Sequence, residues 1–178
     1  KKVYIRTFGC QMNDRDSEEI AGMLLDKGYA LADSPEEADV ALFNTCSVRK
    51  HAEDRAISNI GALQLLKKKK PHLIIGVVGC MAKAQGDKII GKLPIVDFIA
   101  GPANIYDIPG IIERLIAPHS CPLPTGERGL LAVDRESRPE IKNVAYHKKG
   151  ISALVTIMEG CNNFCSYCIV PYVRGREV

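Results

Sequence analysis

Six of the seven cysteines in this chain fall into two groups with different spacing. Cys161-Asn-Asn-Phe-Cys165-Ser-Tyr-Cys168 sets three thiols on one short loop, as C-x3-C-x2-C. Three thiolates that close can wrap one corner of an iron–sulfur cubane, whereas a ferredoxin-type run adds a fourth cysteine. None follows before Val178, and the nearest histidine is His147. Structural zinc wants four ligands, normally arranged as two pairs, so zinc or an inert thiol loop is the rival reading. A trio leaves one iron open, where a small molecule can bind and react.

Cys10, Cys46 and Cys80 are spread out, with gaps of 36 and 34 residues. Only the fold can bring them together. Val3–Phe8 reads as a strand, followed from Asn13–Asp16 by a helical pattern with Ile20, Met23 and Leu24 on one face and Gly28 at its end. Ser34-Pro35-Glu36-Glu37 reads as a capping box opening a single helical turn ahead of a strand at Val40–Phe43. Ser47 can cap a long helix striped by Ala52, Ala56, Ile60 and Leu63 and ended by Lys67–Lys70 and Pro71. Leu73–Val78 is apolar throughout, as a strand covered on both faces should be. A helix over Lys83–Lys92, a fourth strand at Val96–Ile99 and a helix from Asp107-Ile108-Pro109 carrying Ile111, Ile112, Leu115 and Ile116 complete the pattern.

This alternation implies a doubly wound parallel α/β sheet of Rossmann or flavodoxin-like type. Counted from Phe8, Asn44 and Val78, each of the three cysteines then falls two residues past a strand end, on the carboxyl edge where open α/β sheets bind ligands. Each loop feeds a helix N-terminus, whose positive end favours thiolate. Gly9 and Gly79 would let the backbone approach a bulky inorganic core. The bland alternative is three ordinary buried cysteines.

Residues 118–150, rich in proline and glycine, read as an interdomain connection with weak strands at Leu130–Val133 and Asn143–Tyr146, and Cys121 within it as an incidental thiol. Ile151–Ile157 reads as a new strand leading into Cys161. The expected organisation is a first domain over 1–117, the connection over 118–150 and the start of a second domain over 151–178. At 178 residues, 46% hydrophobic and 25% charged, the chain suits one compact domain plus part of another, and excludes disorder and collagen. Its longest apolar stretch, Leu73–Ala82, is ten residues, against about 20 for a membrane span. A net charge of +3 neither demands nor forbids nucleic acid. No secretion signal is visible, so the expected location is cytoplasmic, where cysteines serve as ligands rather than disulfides. Lys67–Lys70 reads chiefly as a solvated helix end. Arg174 and Arg176 carry forks suited to anions. Asn13, Asn44 and Arg49 read equally well as caps and turn formers.

The second group, with Tyr167 before its last cysteine, resembles the signature of the radical S-adenosylmethionine (SAM) superfamily. Both groups in this order resemble its methylthiotransferase family, through Thr7-Phe8-Gly9-Cys10-Gln11-Met12-Asn13, Asn44-Thr45-Cys46-Ser47-Val48-Arg49, Gly79-Cys80-Met81-Ala82, and Gly160 onward through Ile169-Val170-Pro171-Tyr172-Val173-Arg174-Gly175-Arg176-Glu177. Cys-Gln-Met-Asn and the Arg-Gly-Arg-Glu tail are similar to the MiaB-type branch. The resemblance implies two 4Fe-4S clusters: one on Cys161, Cys165 and Cys168 that reduces SAM, with Tyr167 near its adenine, and an auxiliary sulfur-bearing one on Cys10, Cys46 and Cys80. It implies methylthiolation at carbon 2 of an N6-isopentenyladenosine beside the tRNA anticodon, a bond that radical chemistry can open. It also implies an electron donor such as flavodoxin or ferredoxin, a monomer, and a (β/α) barrel of which only the first strand is present, so that this stretch alone is inactive. Alternatives are a ribosomal-protein or threonylcarbamoyladenosine substrate, or a non-catalytic iron–sulfur or zinc module. A cobalamin-dependent relative lacks support, because D-x-H-x-x-G is missing.

Overall fold

The computed structural model describes residues 1–48, 50–117, 130–133, 146–147 and 153–178. Six parallel strands form one sheet in the order β2-β1-β3-β4-β5-β6: β1 (Lys2–Thr7), β2 (Ala30–Leu31), β3 (Val40–Thr45), β4 (Ile74–Gly79), β5 (Phe98–Ala100) and β6 (Leu130–Ala132). The central strands β3 and β4 are buried at every position, which is why they read as continuous apolar runs. The order reverses direction between β1 and β3, the place where a doubly wound sheet opens a crevice at its carboxyl edge.

Helices cover both faces. Ile20 and Leu24 of α1 (Gln11–Asp26) and Ile108, Ile111 and Ile112 of α5 (Ile108–Ile116) pack on Val3, Val40, Leu42 and Phe98. On the other face, Ala56 and Ile60 of α2 (Lys50–Ala62) and Met81 and Ile89 of α4 (Cys80–Lys92) pack on Phe43, Ile75 and Val77. The hydrophobic effect thus closes two cores on one sheet, and the helices it anchors aim their N-termini at the carboxyl edge.

Several local expectations change. Ser34–Glu37 forms a turn, with the Ala38 N–H donating to the Pro35 carbonyl at 3.3 Å, rather than a helical turn. The long helix splits into α2 and α3 (Gln64–Lys69). Ser47 does not cap it, since its buried hydroxyl makes no hydrogen bond among the described residues. α4 starts at Cys80 rather than Lys83, with non-helical backbone at Gln85. Leu130–Ala132 joins the sheet beside β5, so the sheet draws on the stretch read as a connection. Residues 153–157 are not a strand: Val155 and Ile157 are 78% and 94% exposed, and no strand pairs with them among the described residues. Cys121, Arg49 and most of Asn143–Tyr146 lie outside the described residues.

The lysine run is a structural device at the amino edge. Lys67 Nζ pairs with Asp97 at 2.6 Å and also bonds the Leu73 carbonyl, while Asp97 accepts the Ile75 N–H at 2.7 Å. Lys70 Nζ bonds the carbonyls of Glu36 and Ala38, each at 2.9 Å. These contacts tie α3 to the start of β4, away from all six cysteines. No helix is long and apolar enough to cross a membrane among the described residues.

Candidate functional site

A buried polar network stitches the carboxyl ends of β1, β3 and β4 together. The Asn13 Nδ2 donates to Asn44 Oδ1 at 2.9 Å and to the Thr45 carbonyl at 3.1 Å. Asn44 Nδ2 returns bonds to the Asn13 carbonyl at 2.8 Å and to Ser17 Oγ at 3.0 Å, and Ser17 Oγ lies 2.8 Å from Thr7 Oγ1. The Thr45 hydroxyl donates to the Val78 carbonyl at 2.7 Å. Asn13, Asn44 and Thr45 are fully buried, where unmatched polar groups would be costly, so the network fixes one mutual placement of these strand ends.

The first three cysteines are mounted on those ends. Cys10 occupies the N-cap of α1, and both its N–H and its thiol face Asn13 Oδ1, at 3.5 and 3.3 Å. Cys46 directly follows β3, its sulfur accepting the Val48 N–H at 3.4 Å, and Cys80 is the first residue of α4. The uniform spacing of two residues past each strand therefore gives way to three, one and one, because β3 and β4 run on through Thr45 and Gly79. Close approach explains the glycines. A side chain on Gly9 would meet Asn13 Oδ1 at 2.7 Å and Cys46 Cβ at 2.5 Å. One on Gly79, whose φ is +93°, would meet the Thr45 carbonyl at 2.6 Å and Asn44 Oδ1 closer still. Cys10 is exposed, while Cys46 and Cys80 are buried.

The second cysteine segment docks on this edge. Its base is pinched shut by reciprocal bonds between Glu159 and Val178, at 3.1 and 2.9 Å, and by the Cys161 N–H donating to the Gly175 carbonyl at 3.1 Å. Inside the pinch, Cys161 and Cys168 are partly exposed and Cys165 is exposed. Tyr167 is 92% exposed, so it is no core aromatic, and Phe164 meets Tyr172 edge to face at 5.7 Å. The chain then turns into α6 (Val170–Arg174), which packs on α4 and on the 3-10 helix Pro102–Asp107. Arg174, its side chain 7% exposed, reaches Asp16 of α1 at 2.7 Å and lies beside Cys80.

Electrostatics at this junction follow from burial. Burial works against the Arg174 charge, but Asp16 and Cys80 outweigh it and raise its proton affinity above that of an ordinary arginine. The Cys80 thiol is pushed up by burial, with Arg174 pulling the other way. Burial thus opposes, at Cys80, the pull that a helix N-terminus exerts toward thiolate. Among the described residues, no three Cys, His, Asp or Glu side chains converge tightly enough for a single metal ion. All six cysteines are free thiols, and such a sulfur-only donor set suits a larger multi-iron body, whose thiolates attach to separate irons.

Residues 2–101 match the model of a family described as Uncharacterized protein family UPF0004. The chain belongs to this family. The UPF0004 stretch takes in β1 to β5 and the cysteines at 10, 46 and 80. Similarity to relatives extends through the second group as well. A "tRNA-2-methylthio-N(6)-dimethylallyladenosine synthase" of Thermodesulfovibrio yellowstonii is 42% identical over 180 residues, covering 99% of this chain and 39% of that protein. Proteins of the same name from Syntrophus aciditrophicus and Clostridium novyi are each 46% identical, over 178 and 180 residues, covering 99% of this chain and 37% and 38% of theirs. The chain thus spans about two fifths of the length of the curated relatives it matches.

Within this UPF0004 chain, sequence reasoning misses Thr7, Ser17 and Thr45, which complete the polar network, and Asp16, the partner of Arg174. Ser17 and Asp16 do lie on the helix that starts at Cys10, which is the one signal that could have found them.

Proposed function

We propose that this chain is the N-terminal part of a radical SAM methylthiotransferase acting on an N6-isopentenyladenosine beside the tRNA anticodon. The observation that carries the proposal is the delivery of Cys10, Cys46 and Cys80 to one carboxyl edge by three adjacent strands, with the Cys161–Cys168 loop docked on the same edge through Arg174. In this reading Cys161, Cys165 and Cys168 hold one 4Fe-4S cluster with SAM, Cys10, Cys46 and Cys80 hold the second, and residues 151–178 open the barrel domain. When bound, the clusters and SAM supply one-electron chemistry able to open an unactivated C–H bond. The protein's part is positional. Asn13 and Asn44 fix the backbone that carries Cys10 and Cys46, Gly79 brings Cys80 against that network, and the exposed Tyr167 ring offers a flat surface for adenine. Arg174 joins the two cysteine groups, keeping them at one separation. Relatives named for a tRNA product support tRNA over a protein substrate. Delivery of electrons falls to a small redox protein such as flavodoxin or ferredoxin, and the enzyme works as a cytoplasmic monomer.

Iron and sulfide analysis of the full-length protein after anaerobic reconstitution tests this directly. Cys10→Ala and Cys161→Ala are each expected to lose about half the iron, independently, as two three-cysteine clusters require. Nucleoside mass spectrometry of tRNA from cells carrying either variant should show isopentenyladenosine without the methylthio group. A preparation that takes up only zinc, or iron lost entirely from either single variant, would overturn the two-cluster reading.

A further inference from the structure

Phe8 closes β1's run into the Cys10 loop and is 5% exposed. Two arginines sit over its ring: Arg6 of β1, with Cζ 5.3 Å from the centroid, and Arg55 of α2, at 6.0 Å. Both are exposed. Neither has a carboxylate partner among the described residues, in contrast to nearby Lys50, which pairs with Glu53 and Asp54. Two like charges held on one aromatic ring repel each other. Contact with the ring restrains both guanidinium groups. Such a pair is relieved by an anion that can accept several donors at once.

We infer that Arg6 and Arg55, held over the Phe8 ring, form a contact for the RNA phosphate backbone at the mouth of the Cys10 loop. The inference rests on the proposed tRNA substrate and says where on this domain that substrate is gripped. Position favours it. Phe8 lies two residues before the exposed Cys10, and α2 begins four residues after Cys46, so the pair stands at the same edge as the cysteines. The other basic cluster, Lys67–Lys70, stands at the opposite edge with two of its four ammonium groups already bonded. With a net charge of only +3, this stretch offers RNA local contacts rather than a broad positive field. Guanidinium forks match phosphate oxygens in pairs, which an ammonium cannot.

The test is binding of unmodified isopentenyl tRNA to the full-length, reconstituted protein across a salt series. Each of Arg6→Gln and Arg55→Gln is expected to reduce the slope of log affinity against log salt by about 0.7–0.9, the value of one phosphate contact, and the double variant by about twice that. Iron content and circular dichroism should stay at wild-type values, and Arg→Lys at either site should restore the slope. Lys68→Gln with Lys69→Gln, at the far edge, should leave it unchanged. If wild-type protein binds tRNA but both Arg→Gln variants keep its slope, the inference fails while the functional reading stands. It fails equally if the far-edge pair changes the slope as much. Weakened binding of an acidic electron-donor protein, with tRNA binding intact, would reassign the patch and overturn the RNA contact. If the wild type binds no tRNA, the functional reading itself falls.

Discussion

Asp16→Ala is expected to undock the second cysteine segment, at a cost of about 3–5 kcal/mol, the penalty for stranding one member of a buried ion pair. Arg174 and Asp16 are 7% and 1% exposed and 2.7 Å apart. Removing the carboxylate leaves the guanidinium buried beside Cys80, with one of its nitrogens, Nη1, already lacking a partner among the described residues. The chain can escape that penalty locally, by lifting α6 and the loop before it, without unfolding the sheet. Hydrogen exchange should therefore report the change: the amides of Cys161 and Val173, bonded in the docked form, should exchange roughly a hundredfold faster or more, since each 1.4 kcal/mol is about tenfold. Amides of β3 and β4 should not change. Arg174→Met keeps most of the packing and strands no cation, so adding it to Asp16→Ala should recover part of the loss. Unchanged exchange at Cys161 in Asp16→Ala would show that the ion pair does not hold the segment.

Gly79→Ala is expected to lower global stability by about 3 kcal/mol or more. The Gly79 backbone, φ +93° and ψ −160°, lies in a region open essentially to glycine alone, and strain there costs about 1–3 kcal/mol for other residues. The new methyl would also collide with Asn44 Oδ1 and with the Thr45 carbonyl. The carbonyl belongs to β3 and cannot move without breaking the ladder, and Asn44 cannot move without stranding Asn13 and Ser17. For a chain of this size the loss corresponds to a fall in Tm of about 6–12 °C, measurable by circular dichroism. Gly91, around which a methyl meets nothing within 4 Å, is the control: Gly91→Ala in α4 should be neutral or stabilising. Equal melting of the two variants would remove the claim that Gly79 sets the placement of Cys80.

What the amino-acid order reveals, and what it hides, follows from range. The apolar run at Leu73–Val78 and the stripe of Ile20 and Leu24 announce a strand and a helix because burial imposes local periodicity. Three βα units in a row then place Cys10, Cys46 and Cys80 on one edge, since a parallel sheet has only one carboxyl end. Strand termini are harder to see. Thr45 and Gly79 continue β3 and β4 although neither is apolar, because their neighbours supply the pairing. β2 is two residues long, too short for a pattern. The Ser34–Glu37 segment carries a capping signal but no apolar face to pack a helix, so it stops at a turn. Ile151–Ile157 has strand-like residues, yet a strand needs a partner that residues 153–157 do not find among the described residues. Asn13 and Asn44 look like loop formers and are instead the buried centre of the network. The Asp16–Arg174 pair, 158 residues apart, has no local signature at all.

Exposure also grades the six sulfurs. In each triad one thiol faces outward, Cys10 in the first and Cys165 in the second, while Cys46 and Cys80 lie inside. Oxidants and alkylating reagents reach accessible thiols first, so Cys10 and Cys165 are expected to be modified ahead of the partly exposed Cys161 and Cys168, and the buried Cys46 and Cys80 last. If the cysteines hold iron as proposed, a preparation can look correctly folded and still have lost that capacity, which makes anaerobic handling a condition of testing it.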